Sequence, residues 1–177
     1  AKGYTFETGT DTEVILCAYV EWGQACLQRF NGMFAIAIFD NETKSLFLAR
    51  DRLGIKPLYY FQDREQFIFS SEPKAILKGL DSIPEINVAL IDDYMSFGYI
   101  PGENTLHSGI KRLMPGHFAT LKDGELSVVQ WWDLSFDNQQ DNGFESCIQE
   151  SKRLLESAID LRLRSDVPLG IFLSGGI

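Results

Sequence analysis

An uninterrupted apolar run from Met33 to Phe39 is the feature around which the rest of the sequence is arranged. Small and large side chains alternate along it, so both faces are apolar, which predicts a strand buried on both sides. Three further runs follow, separated by turn residues, and predict consecutive antiparallel strands at Ser45–Arg50, Leu58–Phe61 and Gln66–Ser70. Because a sheet with two apolar faces must be covered on both, we expect a second sheet or helices above and below it.

Helical periodicity predicts elements that cover such a sheet. A helix is predicted to begin around Thr10 and to end at Gly23, with Thr10 and Glu13 forming a capping box. Its apolar stripe is expected to lie on the sheet and consists of Val14, Cys17, Ala18 and Trp22. Shorter helices are predicted at residues 25–30, 72–78 and 87–97.

The last third of the chain predicts a hairpin, a linker and a new structural unit. Asp123-Gly124 is a typical two-residue turn between strands at Phe118–Lys122 and Glu125–Trp132. Residues 136–143 are polar and without periodicity, which indicates a linker. An amphipathic helix is then predicted from Phe144 to Arg164, followed by a short buried strand at Leu169–Leu173.

Composition and charge mainly exclude classes of partner and of cellular location. With 177 residues, 45% of them hydrophobic, the chain can bury a substantial core in one domain or slightly more. A net charge of −9 argues against a nucleic acid or an anionic membrane as the main partner, since attraction to phosphates requires a basic surface. No apolar run is long enough to span a membrane and the first residues lack a signal-peptide pattern, so the cytoplasm is the expected compartment.

The cysteines and histidines favour structural interpretations. Cys17, Cys26 and Cys147 have neither the paired spacing of a zinc site nor the density of a disulfide framework, so all three are interpreted as structural thiols. His117 follows Pro-Gly without a carboxylate or nucleophile nearby, which favours a hydrogen-bonded turn histidine over an acid or base. His107 offers even less support for chemistry.

Three polar motifs have more than one interpretation. The segment Arg50–Arg52 is interpreted as a solvated charged loop tied by local ion pairs, without a catalytic role. Asp11 suits a helix N-terminus because of the helix dipole, with or without a binding function. The turn Ser174–Gly176 after an apolar run is either an ordinary turn or a phosphate cradle, and it is not a Walker A loop because no Gly-Lys-Ser/Thr follows.

Three sequence blocks carry a family resemblance: FNGMFAIAIFD at 30–40, ARDRLGIKPLYY at 49–60 and FSSEPKAIL at 69–77. In this order and spacing they resemble the glutaminase domain of class II glutamine amidotransferases, and most of all that of glutamine-dependent asparagine synthetases. The resemblance implies an α+β fold with an Ntn-type αββα sandwich, incomplete here, in residues 1–135. After the linker at 136–143, it implies the start of an α/β ATP pyrophosphatase domain at 144–177.

The resemblance also implies binding residues. In that family the Asp of a TG-[ST]-D block holds the α-amino group of the substrate glutamine, and Asp11 occupies this position in TGTD. DVPLGIFLSGGI resembles the start of the ATP pyrophosphatase loop, which implies ATP-binding positions at Leu173, Ser174, Gly175 and Gly176. It assigns no catalytic residue or metal ligand within this chain.

As a family statement, the parent enzyme hydrolyses glutamine, passes ammonia through an internal tunnel and transfers it to aspartate activated as β-aspartyl-AMP. Glutamine, aspartate and ATP are thus the implied partners, ATP and Mg²⁺ the implied cofactors, and a homodimer is compatible with the resemblance. Activation by adenylation converts the carboxylate oxygen into a good leaving group.

One departure from the family limits what is expected of this chain. The family's nucleophile is an N-terminal Cys, whereas residue 1 is Ala1 and the first cysteine is Cys17, in a predicted helix. We therefore expect an internal fragment that alone has neither glutaminase nor synthetase activity. We also expect its unpaired strand edges to promote self-association. The alternatives are another glutamine amidotransferase, which the Ser174–Gly176 turn disfavours, a β-lactam-forming synthetase, which TGTD disfavours, or a noncatalytic binding module that retains the fold.

Overall fold

The computed structural model describes residues 3–137, 143–165, 167–173 and 175. The chain divides into two compact units, residues 1–134 and 135–177. Within the described ranges, no helix combines the length and apolar character needed to cross a membrane.

Runs of strands and runs of helices follow one another in the first unit, as in an α+β fold, and most elements lie within a few residues of their predicted positions. The closing hairpin is confirmed, since Asp123 and Gly124 have φ of 52° and 81° and so form the tight turn expected of Asp-Gly. The elements of this unit are α1 (Asp11–Trp22), a 3₁₀ helix (Gly23–Arg29), β1 (Ala35–Asp40), β2 (Ser45–Arg50), β3 (Tyr59–Gln62), β4 (Phe67–Ser70), α2 (Pro73–Gly79), α3 (Ala89–Phe97), β5 (Ile110–Arg112), β6 (His117–Lys122) and β7 (Glu125–Gln130).

The strands form two antiparallel sheets instead of one consecutive meander. The first has the order β1-β2-β6-β7 and the second has the order β4-β3-β5. The hairpins β1-β2 and β3-β4 are confirmed, but β2 and β3 lie in different sheets, so the prediction of four consecutive neighbours is wrong. β2 pairs instead with β6, through Leu46 opposite Leu121 and Ala49 opposite Phe118, a partner that lies about 70 residues further along the chain.

Four layers result from packing on both sides of these sheets. α1 and the 3₁₀ helix cover one face of the first sheet, where Ala18, Cys26 and Leu27 contact a cluster that includes Phe47 and Phe118. The opposite face packs on the second sheet, and its shared core contains Leu48, Leu58, Tyr60, Leu113 and Ala119. α2 packs on β3 and β4 through the fully buried Ile76. The αββα sandwich predicted for this unit is therefore present.

β1 is buried on one face only, contrary to the prediction. Ile36 and Ile38 are buried against the α1 layer, whereas Ala35, Ala37 and Phe39 on the opposite face are exposed. β1 is an edge strand, and the second sheet covers β2, β6 and β7 without extending over it in the described residues. The apolar character of that face predicts burial, but the partner layer stops one strand short.

α1 presents a slightly different face to the sheet from the one predicted. Ala18 is buried and Ile15, Tyr19 and Trp22 pack around the same core, whereas Val14 is 48% exposed. Residues 15, 18, 19 and 22 share one face at 3.6 residues per turn, so Val14 and Cys17 lie on its flank. The helix ends at Gly23, as predicted.

The second unit contains α4 (Phe144–Arg162), which ends two residues earlier than predicted and has no buried residue. Its apolar stripe is exposed, with Phe144 at 82% and Leu155 at 63%. The segment Leu169–Leu173 is irregular, so the predicted buried strand is wrong for the described residues. A strand needs a neighbouring backbone for its hydrogen bonds, and no strand pairs with this segment in the part of the chain that is described.

Candidate functional site

Glu13, in the first turn of α1, holds the start of the TGTD segment that leads into the helix. Its carboxylate accepts hydrogen bonds from the backbone N–H of Glu7 at 2.9 Å and of Thr8 at 2.8 Å. It also accepts one from Thr8 Oγ1 at 2.6 Å. The Thr8 hydroxyl, and then the two backbone N–H groups, lower the pKa of Glu13, because they all pair with the ionised carboxylate.

The predicted capping box is therefore wrong, because Thr10 and Glu13 do not form the hydrogen bonds expected of it. Thr10 has the extended backbone of an N-cap residue, but its side chain caps no helix N–H. Its hydroxyl lies 2.9 Å from the Thr8 hydroxyl instead. Glu13 reaches past Thr10 to Thr8 and Glu7, so the same two residue types order the turn through a different set of hydrogen bonds.

Asp11 is the first residue of α1 and is exposed. In the described structure no hydrogen bond or ion pair engages its carboxylate. A carboxylate at a helix N-terminus is stabilised by the helix dipole, and one without a partner can still pair with an ammonium group. The geometry thus brings Asp11 to an accessible position on an ordered turn, and its role in binding glutamine stays a prediction.

A cavity of about 580 Å³ lies along the flank of α1. Cys17, Val14 and Trp22 line it from the helix, and Tyr4 and Phe6 line it from the preceding segment. The Tyr4 hydroxyl donates a hydrogen bond to Glu21 Oε2 at 3.3 Å. Asp11 does not contribute to the wall of this cavity, which is mainly apolar.

Asp51 is the centre of a buried polar cluster that the sequence interpretation missed. Its side chain is only 2% exposed, so the prediction of a solvated loop is wrong. Oδ1 accepts hydrogen bonds from Leu53 N at 3.1 Å and Ile55 N at 3.0 Å. Oδ2 accepts them from Phe34 N at 3.2 Å and Lys56 N at 3.0 Å. Four backbone amides thereby replace the water that burial removes from this carboxylate.

Arg50 satisfies the other side of the same loop. Its guanidinium, 7% exposed, donates to three backbone carbonyls, Lys56 O, Gly54 O and Leu113 O, each at 2.7 Å. Burial, and then the nearby charge of Arg112, lower the pKa of Arg50. The loop is thus held by side-chain to backbone hydrogen bonds and not by the predicted local ion pairs.

Arg52 extends this cluster to the segment after α1. Its Nη1 donates to Phe30 O at 2.8 Å, and its guanidinium lies 5.4 Å from the Trp131 ring centroid. The Trp131 indole in turn donates to Arg50 O at 3.3 Å. We call Arg50, Asp51, Arg52 and Trp131 the Arg-Asp-Arg cluster. It joins the end of β2 to the ends of the 3₁₀ helix and β7, which places it in a structural role.

One signal in the sequence does point to this cluster. Gly54 has a φ of +65°, and a Cβ there would lie 2.7 Å from Pro115 and 3.0 Å from the Arg50 guanidinium. A glycine next to a charged triplet is therefore a sign of close backbone approach, as its residue type suggests.

The histidines and cysteines are only partly as predicted. His117 is a turn histidine, with Nδ1 2.8 Å from Pro115 O, as expected. Cys26 is buried, and burial raises the pKa of its thiol, which fits a structural role. Cys17 is half-buried beside the α1 cavity, and Cys147 is exposed on α4. The interpretation as a buried structural thiol is wrong for Cys147, since α4 has no covering layer among the described residues.

The predicted ATP-binding positions are only partly described. Ser174 and Gly176 lie outside the described residues. Leu173 is 94% exposed, and a Cβ added to Gly175 would meet nothing within 4 Å. The structure thus shows no cradle around Leu173 and Gly175, and their role stays a prediction. Across the described ranges, no group of three or more His, Cys, Asp or Glu could hold a metal ion.

Comparison with known protein families explains the first unit. The model of the family described as glutamine amidotransferase domain matches residues 1–132. This chain belongs to that family. The model described as asparagine synthase matches residues 150–177. The two matches follow each other in the order that the sequence resemblance implied.

Individual relatives are similar over almost the whole chain. A protein of Methanocaldococcus jannaschii provisionally named asparagine synthetase [glutamine-hydrolyzing] 2 is 41% identical over 97% of this chain. Asparagine synthetase [glutamine-hydrolyzing] 3 of Bacillus subtilis is 36% identical over all of it. Amidase chry2 of Gibberella zeae is 32% identical, again over the whole chain. The resemblance to asparagine synthetases is therefore confirmed.

The chain spans only part of these relatives. It covers 34% of the Methanocaldococcus protein, 29% of the Bacillus protein and 26% of the Gibberella protein. The similarity thus concerns the junction of two family regions within longer proteins.

Proposed function

We propose that this chain is the part of a glutamine-hydrolysing asparagine synthetase in which the glutaminase domain is joined to the start of the ATP-consuming domain. The observation that carries the proposal is the order of the two family matches, residues 1–132 and then residues 150–177. Relatives named asparagine synthetase at 36–41% identity support it. The division of the structure between Leu134 and Ser135 is compatible with a domain boundary there.

In this proposal Asp11 binds the substrate glutamine. Its carboxylate pairs with the α-amino group, which is an ammonium at neutral pH, through a charge-assisted hydrogen bond. Support comes from its accessible position on a turn that Glu13 keeps ordered. Ammonia released from the glutamine amide then reaches the second domain without entering bulk water, where it would be protonated.

The second part of the proposal concerns ATP. Residues 136–143 link the domains, residues 144–177 begin the ATP pyrophosphatase domain, and Leu173, Ser174, Gly175 and Gly176 belong to its ATP-binding loop. Glycines allow backbone N–H groups to approach phosphate oxygens closely. Aspartate attacks the α-phosphate of ATP to give β-aspartyl-AMP with release of pyrophosphate, and ammonia then displaces AMP to give asparagine. Mg²⁺ accompanies ATP, and the enzyme acts in the cytoplasm.

Isotope transfer in the full-length protein tests this function. Glutamine labelled with ¹⁵N at the side-chain amide, supplied with aspartate and Mg²⁺-ATP, should yield ¹⁵N-labelled asparagine together with AMP. Release of labelled ammonia without asparagine would contradict the synthetase assignment. It would favour an amidase, which is what the Gibberella relative is named. Neither product would favour a noncatalytic binding module.

Asp11→Asn provides the residue-level test. Loss of the charge should raise the KM for glutamine by about tenfold or more, while asparagine synthesis from added ammonia is unchanged. Asp92→Asn is the matched control, because Asp92 is also an exposed acid in the first turn of a helix, α3. Equal effects of both substitutions on KM would show that Asp11 does not bind glutamine.

A further inference from the structure

A second cavity in the first unit has the composition of a ligand site. It is open to solvent, has a volume of about 460 Å³ and is lined by residues of β3, α2, α3, β5 and the segment between α3 and β5. Volumes of about 300–1,000 Å³ are typical of small-molecule pockets. None of its lining residues belongs to the TGTD turn or the Arg-Asp-Arg cluster. It is thus separate from the features assigned above.

Positive charge is concentrated in the wall of this cavity. Lys74 and Arg112 line it, and in the described part of the chain no Asp or Glu does. The sequence as a whole has 25 acidic residues and 16 basic ones, so a wall with cations and no acids runs against the composition. Such a wall favours an anionic ligand.

Arg112 has hydrogen-bonding capacity left for an anion. Its Nη1 donates to Ile100 O at 3.2 Å and, more weakly, to Gly102 O at 3.4 Å. Neither bond uses Nε or Nη2, and no carboxylate pairs with this guanidinium among the described residues. The Nε and Nη2 edge is the one that binds phosphate or carboxylate through two parallel hydrogen bonds.

His107 adds an unsatisfied polar atom. Its Nδ1 is buried and has no hydrogen-bond partner in the structure. The backbone around it is nevertheless well ordered, since His107 N donates to Thr105 Oγ1 at 3.3 Å and Ile110 N donates to His107 O at 3.1 Å. Buried polar atoms are normally paired, so an orphan in a cavity wall is explained when a ligand supplies the partner.

Aromatic rings complete the wall. Tyr59, Tyr94 and Tyr99 line the cavity, and the Arg112 guanidinium lies 5.8 Å from the centroid of the Tyr59 ring. Tyrosine faces bind planar rings by stacking, and a guanidinium next to them suits the phosphate attached to such a ring. We propose that this cavity binds a nucleoside monophosphate, with its phosphate on Arg112 and Lys74 and its base on the tyrosines.

Lys74 is the weaker of the two cations in this arrangement. Its Nζ lies 2.6 Å from Glu72 Oε2, and both side chains are largely exposed. A phosphate competes with Glu72 for this ammonium, whereas Arg112 is partly buried and has no such competitor. Arg112 is therefore the anchor, and Lys74 contributes less.

Hydrogen exchange with AMP in the full-length protein tests the proposal and locates the binding. AMP should protect peptides that cover residues 94–112. Arg112→Gln should raise the AMP concentration needed for half-maximal protection by about tenfold. Lys74→Gln should weaken it less, and Lys78→Gln, one turn further along α2 and outside the cavity wall, should leave it unchanged. Protection elsewhere in the protein should be the same in all variants.

The base and the phosphate are tested separately. Tyr94→Ala should weaken AMP binding but leave the weak binding of inorganic phosphate unchanged. Met95 is an exposed neighbour outside the cavity wall, so Met95→Ala should change the binding of neither AMP nor phosphate. Adenosine should bind far more weakly than AMP. The proposal is overturned if residues 94–112 are not protected, if Arg112→Gln and Lys78→Gln behave alike, or if phosphate or adenosine alone binds as tightly as AMP.

Discussion

Asp51 and Glu13 are both carboxylates that accept several backbone hydrogen bonds, yet they stabilise the protein in different ways. Asp51 is 2% exposed and binds amides of residues 34, 53, 55 and 56, so it joins separate segments. Glu13 is partly exposed and binds only Glu7 and Thr8, its own neighbours in sequence. Water can replace the partners of Glu13 but not those of Asp51, because water does not reach the buried amides.

The same contrast separates scaffold from candidate site. The Arg-Asp-Arg cluster holds the sandwich together and leaves little capacity for a ligand, since the hydrogen-bonding groups of Asp51 and Arg50 are used internally. The turn held by Glu13 instead leaves the neighbouring Asp11 carboxylate accessible. A polar residue that is fully satisfied supports the fold, and one that is ordered but unpaired is available for binding.

Asp51→Asn should have the largest effect on stability. An amide can accept at only one of its two heteroatoms, so the amides now bound to one carboxylate oxygen would face another donor in a buried site. We expect a loss of about 3 kcal/mol in the free energy of unfolding, measured by urea denaturation followed by tryptophan fluorescence. Asp123→Asn is the matched control, because Asp123 is exposed and its φ of 52° is one that Asn tolerates. Equal losses would contradict the central role of Asp51.

Arg50→Lys should have the second largest effect. Lysine keeps the charge but cannot direct N–H groups at Lys56 O, Gly54 O and Leu113 O together, since it lacks the planar fork of a guanidinium. We expect a loss of about 2 kcal/mol in the same measurement. Arg64→Lys, in the exposed turn between β3 and β4, should leave the stability unchanged. No difference between the two variants would show that the three carbonyl bonds are dispensable.

Glu13→Gln should have the smallest effect and one that depends on pH. The pKa of Glu13 is lowered in the folded state below its ordinary value of 4.5, so its ionised form stabilises the turn above that pH. This contribution is lost as the pH falls from 4.5 through the lowered folded value. The stability difference between wild type and Glu13→Gln should therefore shrink as pH falls through this window. A difference that is constant with pH would exclude the carboxylate charge as its cause.

Local patterns predicted the elements well, and their long-range partners poorly. The hairpin at Asp123-Gly124 and the helix ending at Gly23 depend on nearby residues, and both are confirmed. The pairing of β2 with β6 depends on residues about 70 positions apart, which no local pattern encodes. The prediction that both faces of β1 are buried was wrong for the same reason, because burial of the second face depends on how far another sheet extends.

The candidate site was predicted in a similar way. Asp11 came from the TGTD block, and the structure adds that Glu13 orders this block in a manner different from a capping box. Asp51 was missed, because a charged triplet is usually solvated and only its tertiary partners show that it is buried. The cavity around Arg112 and His107 brings together residues from five segments, so no stretch of sequence contains it.

The sequence by itself determined most of the helices, strands and tight turns of the first unit, and its blocks of residues determined the family. Periodicity and turn chemistry act between near neighbours, so they can be read along the chain. Only the tertiary structure decided which strands share a sheet, which apolar faces are covered and which charges are buried. These outcomes depend on desolvation and on hydrogen bonds between distant segments, which exist only after the layers have packed.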